Sequence, residues 1–381
     1  MNKLIILIIL FPSLVLSFTL LAQDGAPVSK ACSPGIFSQL LLDTTGVSAS
    51  FGLPFVWRYE EFSVPEYDEF SDKIADNVYY GDGNLFYNFS FEGHYTLPFR
   101  VKPSFHLYYR PISDRRTERK LDVVGAQGST QGERVGSTYF NYGENLNALT
   151  ASFSFKPLRF IGIAAGYSLL LGKVVNRVKL EVRGAFPVDS LGEYRYNNSS
   201  ASIGARVDIS DFFSLGGTYQ LLLADDAARR ILSREFLFPE KGITVGILLH
   251  PGRRLFDSVE MNATYNGYPP DSVKYVDTID LMFKISQRLG KVPVFWGFVY
   301  QPAPRQELGD KLGIYLGSTR RLNGFTLGFK MSYSRWTEEL PEGNSGNLYN
   351  AFEPYGGFEY SGEQTRSYSD LELLLTIGFA R

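Results

Sequence analysis

The stretch that decides the fold is residues 85 to 110, which read LFYNFSFEGHYTLPFRVKPSFHLYYR. Its odd-numbered positions are mostly aromatic or aliphatic and its even-numbered positions mostly polar, on both sides of a turn placed near Leu97 and Pro98. Successive side chains of a strand point to opposite faces, so this period of two predicts a β-hairpin with one apolar and one polar face.

The same pattern recurs in five further hairpins, and two unpaired strands at 46–57 and 369–379 bring the predicted count to fourteen. Each segment runs about 10 to 14 residues, which suits a tilted membrane crossing better than the about 5 to 6 residues of a soluble strand. The chain also alternates short turns with long polar connections, as outer-membrane barrels do. The long connections are placed after Trp57, after Arg110, and near 174–193, 225–239, 302–310 and 337–365.

A sheet in hydrocarbon cannot leave an edge unpaired, so these strands are expected to close on themselves. The predicted fold is all-β: a transmembrane antiparallel up-and-down β-barrel of about 14 strands over residues 45–381. Soluble sandwiches and secreted adhesins also alternate, and they remain the alternative on periodicity alone.

Composition excludes several other classes of protein. The 381 residues are 44% hydrophobic and 15% aromatic, too much core-forming content for a disordered chain. One Cys cannot build a disulfide framework, and a net charge of −2 gives no basic surface for nucleic acid.

The N-terminus carries an export signal. Lys3 precedes the apolar run 4–21, and Ala22 marks a cleavage point, so 1–22 is predicted to be a signal peptide. An uncleaved membrane anchor is the alternative. Residues 23–44 are expected to be a periplasmic segment that plugs the lumen, forms a disordered leader or extends the first strand into the periplasm. The expected location is the outer membrane of a diderm bacterium, with membrane lipid, lipopolysaccharide, the barrel-assembly machinery and an unknown small solute as partners.

Charged residues on the polar face are predicted to line the lumen, because a charge facing lipid at midplane costs about 2 to 4 kcal/mol. These charges form either a conduit with a basic stripe on the third strand or an interior of paired ions. The predicted lumen-lining residues are Glu92, His94, Arg100, Lys102, His106, Arg110, Lys156, Arg206, Asp208, Glu260, Asp280, Lys284, Lys330 and Glu372.

Pro103 falls inside the predicted third strand. Proline cannot donate a ladder hydrogen bond, so Pro103 is expected to open the wall locally or to form a harmless bulge.

The histidines are too few for a catalytic site, and we predict neither an enzyme nor a cofactor. His94 and His106, with Glu92 nearby, are too few ligands for a predicted metal site.

The export signal, the short N-terminal segment, the fourteen strands and the proline-disrupted third strand together resemble the long-chain fatty-acid transporter (FadL-like) family, by architecture only. The resemblance implies uptake of hydrophobic molecules. The expected function is therefore a channel or transporter for small or hydrophobic solutes. Fourteen-stranded porins match the architecture equally well, and a barrel that acts as scaffold, adhesin or secretion subunit through its loops is the alternative.

Overall fold

The computed structural model describes residues 46–67, 73–124, 134–183, 187–229, 238–251, 256–269, 275–290, 292–304, 308–322, 325–340 and 364–380. The predicted signal peptide (1–22) and the predicted plug or leader (23–44) lie outside these residues. Apart from one helical turn at 226–229, the regular structure of the described residues is β-strand. No helix among them is long and apolar enough to span a membrane.

Fifteen strands form one antiparallel sheet. They are β1 (Gly46–Tyr67), β2 (Lys73–Tyr87), β3 (Ser90–Thr96), β4 (Ser104–Val124), β5 (Arg134–Leu158), β6 (Ile161–Val182), β7 (Val188–Asp208), β8 (Phe213–Leu223), β9 (Lys241–Leu249), β10 (Ser258–Gly267), β11 (Thr278–Leu289), β12 (Val292–Gln301), β13 (Lys311–Leu322), β14 (Phe325–Leu340) and β15 (Gln364–Ala380).

The sheet closes because β1 pairs with β15, from Ser48 opposite Ala380 to Ser63 opposite Thr365. The second edge of β1 is shared: residues 46–52 pair with β3, and residues 55–67 pair with β2. β2, with 15 residues, and β3, with 7 residues, therefore occupy one position of the wall. The prediction of a closed barrel with fourteen strand positions is confirmed.

Several strands run further than predicted. The stretches 58–83, 111–145 and 174–193 were expected to be mostly connections, but they contain the outer parts of β1, β2 and β4 to β7. That expectation was wrong because a strand extending beyond the bilayer has no lipid-facing side, so it loses the apolar alternation by which strands were recognised. We call this end of the barrel the long-loop end, and the opposite end, where turns such as 159–160 are tight, the short-turn end.

The two faces of the wall differ as the period of two requires. On β3, Tyr95 is 45% exposed while His94 beside it is 6% exposed. The outer surface carries a broad apolar belt that includes Phe51, Leu53 and Phe105. Such a belt is stable in contact with the hydrocarbon core of a bilayer, which agrees with a membrane-spanning barrel.

Candidate functional site

The wall of the barrel is open between β2 and β4. Pairing between β3 and β4 stops where Phe91 lies opposite Tyr109. Towards the long-loop end, the described residues of β4 pair only with β5, and those of β2 pair only with β1. In this part of the described chain no ladder joins β2 to β4, so a gap runs from the end of β3 towards the long-loop end.

Two residues at the end of the gap nearest the short-turn end explain why strand pairing stops there. The Asn88 side-chain oxygen accepts the N–H of Phe89 at 2.8 Å, a local bond that competes with strand pairing. Across the gap, Pro111 has no N–H to donate, and the pairing of β4 with β5, its other neighbour, shifts register between Pro111 and Ser113. Local side-chain bonding on one strand and a missing donor on the other therefore end the pairing here.

Neither alternative predicted for Pro103, a local opening of the wall or a bulge in a strand, is observed, because Pro103 lies between β3 and β4 and not within a strand. It closes the turn between β3 and β4, where its carbonyl oxygen accepts the N–H of Leu97 at 3.0 Å. Arg100 and Lys102 belong to this turn as well, so they do not form a basic stripe on a strand. Arg100 is exposed, and Lys102 has a φ of 43°. The error arose because the apolar alternation continues through the turn at Phe99 and Val101.

A cavity of about 670 Å³ lies inside the barrel, next to the gap. This volume is within the about 300 to 1,000 Å³ typical of small-molecule sites. Its gap side is formed by Phe86, Tyr87, Asn88, Tyr108, Arg110, Pro111 and Ile112. Tyr87 and Ile112, on the two sides of the gap, line the cavity and are 73% and 39% exposed. The cavity is therefore continuous with the gap.

An apolar cluster lies on the inner wall towards the long-loop end. Leu146, Leu170, Leu222 and Phe238 are buried against one another there. Phe238 comes from the connection between β8 and β9, so a loop contributes to the lining of the cavity together with the strands.

Three of the predicted lumen residues line this cavity: Arg110, Asp280 and Glu372. Gln301 Nε2 donates to an Asp280 oxygen at 3.2 Å, and Ser332 Oγ donates to Glu372 at 2.9 Å. The Arg110 guanidinium lies 5.5 Å from the Tyr108 ring centroid, and its Nε has no hydrogen-bond partner among the described residues.

Four other predicted residues form ion pairs on the inner face. Arg206 Nε lies 2.6 Å from an Asp208 oxygen, and Lys284 Nζ lies 3.6 Å from a Glu260 oxygen. Arg206 and Glu260 are both buried. These contacts fit the interpretation of an interior that pairs its own charges. Lys156 and Lys330 are half-buried, and the Lys330 Nζ lies 5.7 Å from the Tyr315 ring centroid.

His94 and His106 meet directly across β3 and β4, with ring centroids 4.7 Å apart. Ser48 Oγ lies 3.3 Å from His94 Nδ1, and Ser154 Oγ lies 3.5 Å from His106 Nε2. Glu92, on the same strand as His94, is half-buried. The described residues contain no group of three or more His, Cys, Asp or Glu that could hold a metal ion.

Sequence reasoning missed a buried ion pair that lines the same cavity, Arg58 with Asp370. Arg58 follows directly after the predicted end of the first strand at Trp57, so it was assigned to a connection. Asp370 has the same inward parity as Glu372, and that parity was the signal that could have identified it.

No protein-family model and no curated protein matches this sequence. Solved structures do match the fold. A FadL homologue from Pseudomonas aeruginosa superposes with a TM-score of 0.56 over 90% of this chain and 91% of that chain, at 14% identity. The toluene transporter TodX of Pseudomonas putida superposes with a TM-score of 0.56 over 90% of this chain and 91% of that chain, at 9% identity. The chain therefore has the FadL-like β-barrel fold.

Proposed function

We propose that this protein is an outer-membrane channel that takes up hydrophobic solutes and releases them sideways through the gap between β2 and β4. The observation that carries the proposal is the continuity of the internal cavity with the gap. A complete barrel wall would separate the lumen from the bilayer. Through a gap, a solute gains about 0.8 kcal/mol for each CH₂ group that moves from water into an apolar environment.

The fold supports this proposal, since one structure that shares it is a toluene transporter and another is a FadL homologue. In this proposal residues 1–22 are removed on export, the assembly machinery inserts the barrel, and membrane lipid and lipopolysaccharide surround its apolar belt. The solute crosses unchanged, without catalysis.

The test is to block the gap reversibly. Tyr87→Cys and Ile112→Cys place thiols on its two sides, in a Cys32→Ser background because Cys32 is the only native cysteine. A bismaleimide with a cleavable disulfide then bridges the gap. We expect uptake of radiolabelled toluene by cells carrying the cross-linked protein to fall to the level of cells without it, and to recover when the linker is reduced.

The matched control is Phe105→Cys with Phe153→Cys. These residues lie directly opposite each other on β4 and β5 and are exposed on the outer surface, where the wall is already paired. Cross-linking there should leave uptake unchanged. Normal uptake with a bridged gap would show that solutes leave by another route.

A further inference from the structure

The lining of the cavity is divided into two chemically different sides. Every described lining residue contributed by β5 to β10 is uncharged. The charged lining residues lie on β1, β4, β11, β13 and β15, and they comprise three cations and three carboxylates: Arg58, Arg110, Lys311, Asp280, Asp370 and Glu372. The cavity as a whole therefore has no charge excess among its described lining residues.

The uncharged side carries seven hydroxyl groups, together with the amides of Gln220, Asn262 and Asn266 and the apolar side chains of Ala148 and Leu170. We call the hydroxyl-bearing residues the hydroxyl arc: Thr150, Ser168, Ser200, Ser202, Thr218, Thr244 and Thr264. Thr150 lies opposite Ser168 on the next strand, with their hydroxyl oxygens 2.7 Å apart. Thr244 lies opposite Thr264, with their hydroxyl oxygens 3.0 Å apart. Each hydroxyl can donate one hydrogen bond and accept two, so the bonded pairs keep capacity for a further partner.

Apolar side chains lie on the two strands that border the gap and on the adjacent β1. Phe86 of β2, Pro111 and Ile112 of β4, and Pro54 and Val56 of β1 line the cavity there. A solute between the two sides meets hydrocarbon towards the gap, and on the strands β5 to β10 it meets mainly hydroxyl and amide groups beside the apolar Ala148 and Leu170.

We propose that the solute is a neutral amphipath, with a hydrocarbon part against the gap side and alcohol or ether oxygens hydrogen-bonded to the hydroxyl arc. This inference rests on the proposed function and specifies its substrate class. A pure hydrocarbon would displace water from the arc without replacing its hydrogen bonds, which is unfavourable. A charged head group would find no opposite charge on the arc and would lose its hydration.

The variant that tests this inference is Thr244→Val with Thr264→Val. Valine has nearly the shape of threonine, and replacing both partners of a hydrogen bond leaves neither hydroxyl unsatisfied, so the barrel should still assemble. Thr244→Ser with Thr264→Ser is the matched control, because it keeps both hydroxyl groups.

Uptake of three radiolabelled probes of equal chain length is measured in cells with and without the protein: 1-O-dodecylglycerol, dodecane and dodecanoic acid. We expect the wild type to favour 1-O-dodecylglycerol by about tenfold, the magnitude expected for one or two net hydrogen bonds. The valine variant should lose this preference while still taking up dodecane, and the serine variant should keep it.

Two results would overturn the inference. An unchanged preference in the valine variant, or a wild-type preference for dodecanoic acid that requires Arg110, would remove the hydroxyl arc as the recognition surface but leave the channel function standing. Uptake of none of the probes above the level of cells without the protein would overturn both the inference and the proposed function.

Discussion

Arg58 and Asp370 face each other across the seam where the first and last strands close the barrel. The guanidinium binds the carboxylate through two hydrogen bonds, of 2.8 and 2.9 Å, and the two residues are 7% and 8% exposed. The guanidinium carbon also lies 5.3 Å from the centroid of the Trp336 ring. Their separation of 312 positions makes this one of the most distant contacts in the chain.

Removing one partner of this pair should destabilise the barrel strongly. Asp370→Leu leaves a buried guanidinium without its carboxylate, which costs about 3 to 5 kcal/mol in comparable sites, whereas Arg58→Met with Asp370→Leu should recover much of that loss. Urea unfolding of the protein in detergent micelles measures both effects.

Arg177 and Asp189 give a matched control. This pair has the same bidentate geometry, at 3.0 and 2.9 Å, but is exposed to solvent. Asp189→Leu should therefore change the free energy of unfolding much less. Equal effects at the two sites would show that burial at the seam does not determine the strength of the pair.

Alternation, strand length and the regular succession of short turns and long connections together were enough to predict the closed barrel, the fourteen positions and the faces of the membrane-spanning strands. The alternation of apolar and polar residues did not reveal strands where no lipid contacts one face of the sheet. Beyond the bilayer no lipid selects apolar side chains, so the outer parts of β4 and β5 had no apolar period to reveal them. In the turn before Ser104 the opposite happens, because Phe99 and Val101 keep the period although the strand has ended.

The cavity was only partly predictable. Parity identified Arg110, Asp280 and Glu372, but only charged side chains were selected, so Thr150 and Ser168 were passed over despite sharing the inward parity of their strands. To predict which proline interrupts the wall, the length of the turn between β3 and β4 must be known. That length is set by where β3 and β4 stop pairing, and a single sequence does not show this.

Substitutions at two nearby residues of β14 should affect assembly unequally, because their side chains face opposite sides of the wall. Leu327 is exposed on the outer surface, so Leu327→Arg places a charge in lipid at a cost of about 2 to 4 kcal/mol near midplane. Lys330 has the opposite parity, and Lys330→Leu should reduce assembly far less. The folded fraction is read from mobility on unheated gels. Similar losses for both variants would mean that β14 is assigned to the wrong face.

Two connections at the long-loop end are held by the same arrangement. Tyr265 donates its hydroxyl hydrogen to Asp277, and Tyr300 donates to Asp310, each carboxylate lying just before the next strand. Asp277 also accepts the N–H of Tyr268 at 3.1 Å. These hydrogen bonds, the tyrosine bond first, lower the pKa of Asp277 and of Asp310 below the ordinary value.

A carboxylate whose pKa is lowered on folding stabilises the folded state above its unfolded pKa, about 3.9 for Asp, and loses that contribution as the pH falls through the folded pKa. Tyr265→Phe with Tyr300→Phe should therefore lower thermal stability at pH 7, and the difference from wild type should shrink as the pH falls below about 3.9. Unfolding temperatures across this range measure it. A difference that persists undiminished in acid would assign the stabilisation to ring packing instead of the carboxylates.

Closing the gap genetically gives the last prediction. Asn88→Val removes the side-chain oxygen that captures the N–H of Phe89, and Pro111→Val restores a donor on β4. Together the two substitutions favour pairing of β2 with β4. Uptake of a hydrophobic solute should therefore fall severalfold, while the barrel should be at least as stable as the wild type. Pro103→Val restores an N–H in the turn, away from the gap, and should leave uptake unchanged. If Pro103→Val reduced uptake and the double variant did not, solutes would depend on the turn at the short-turn end and not on the gap between β2 and β4.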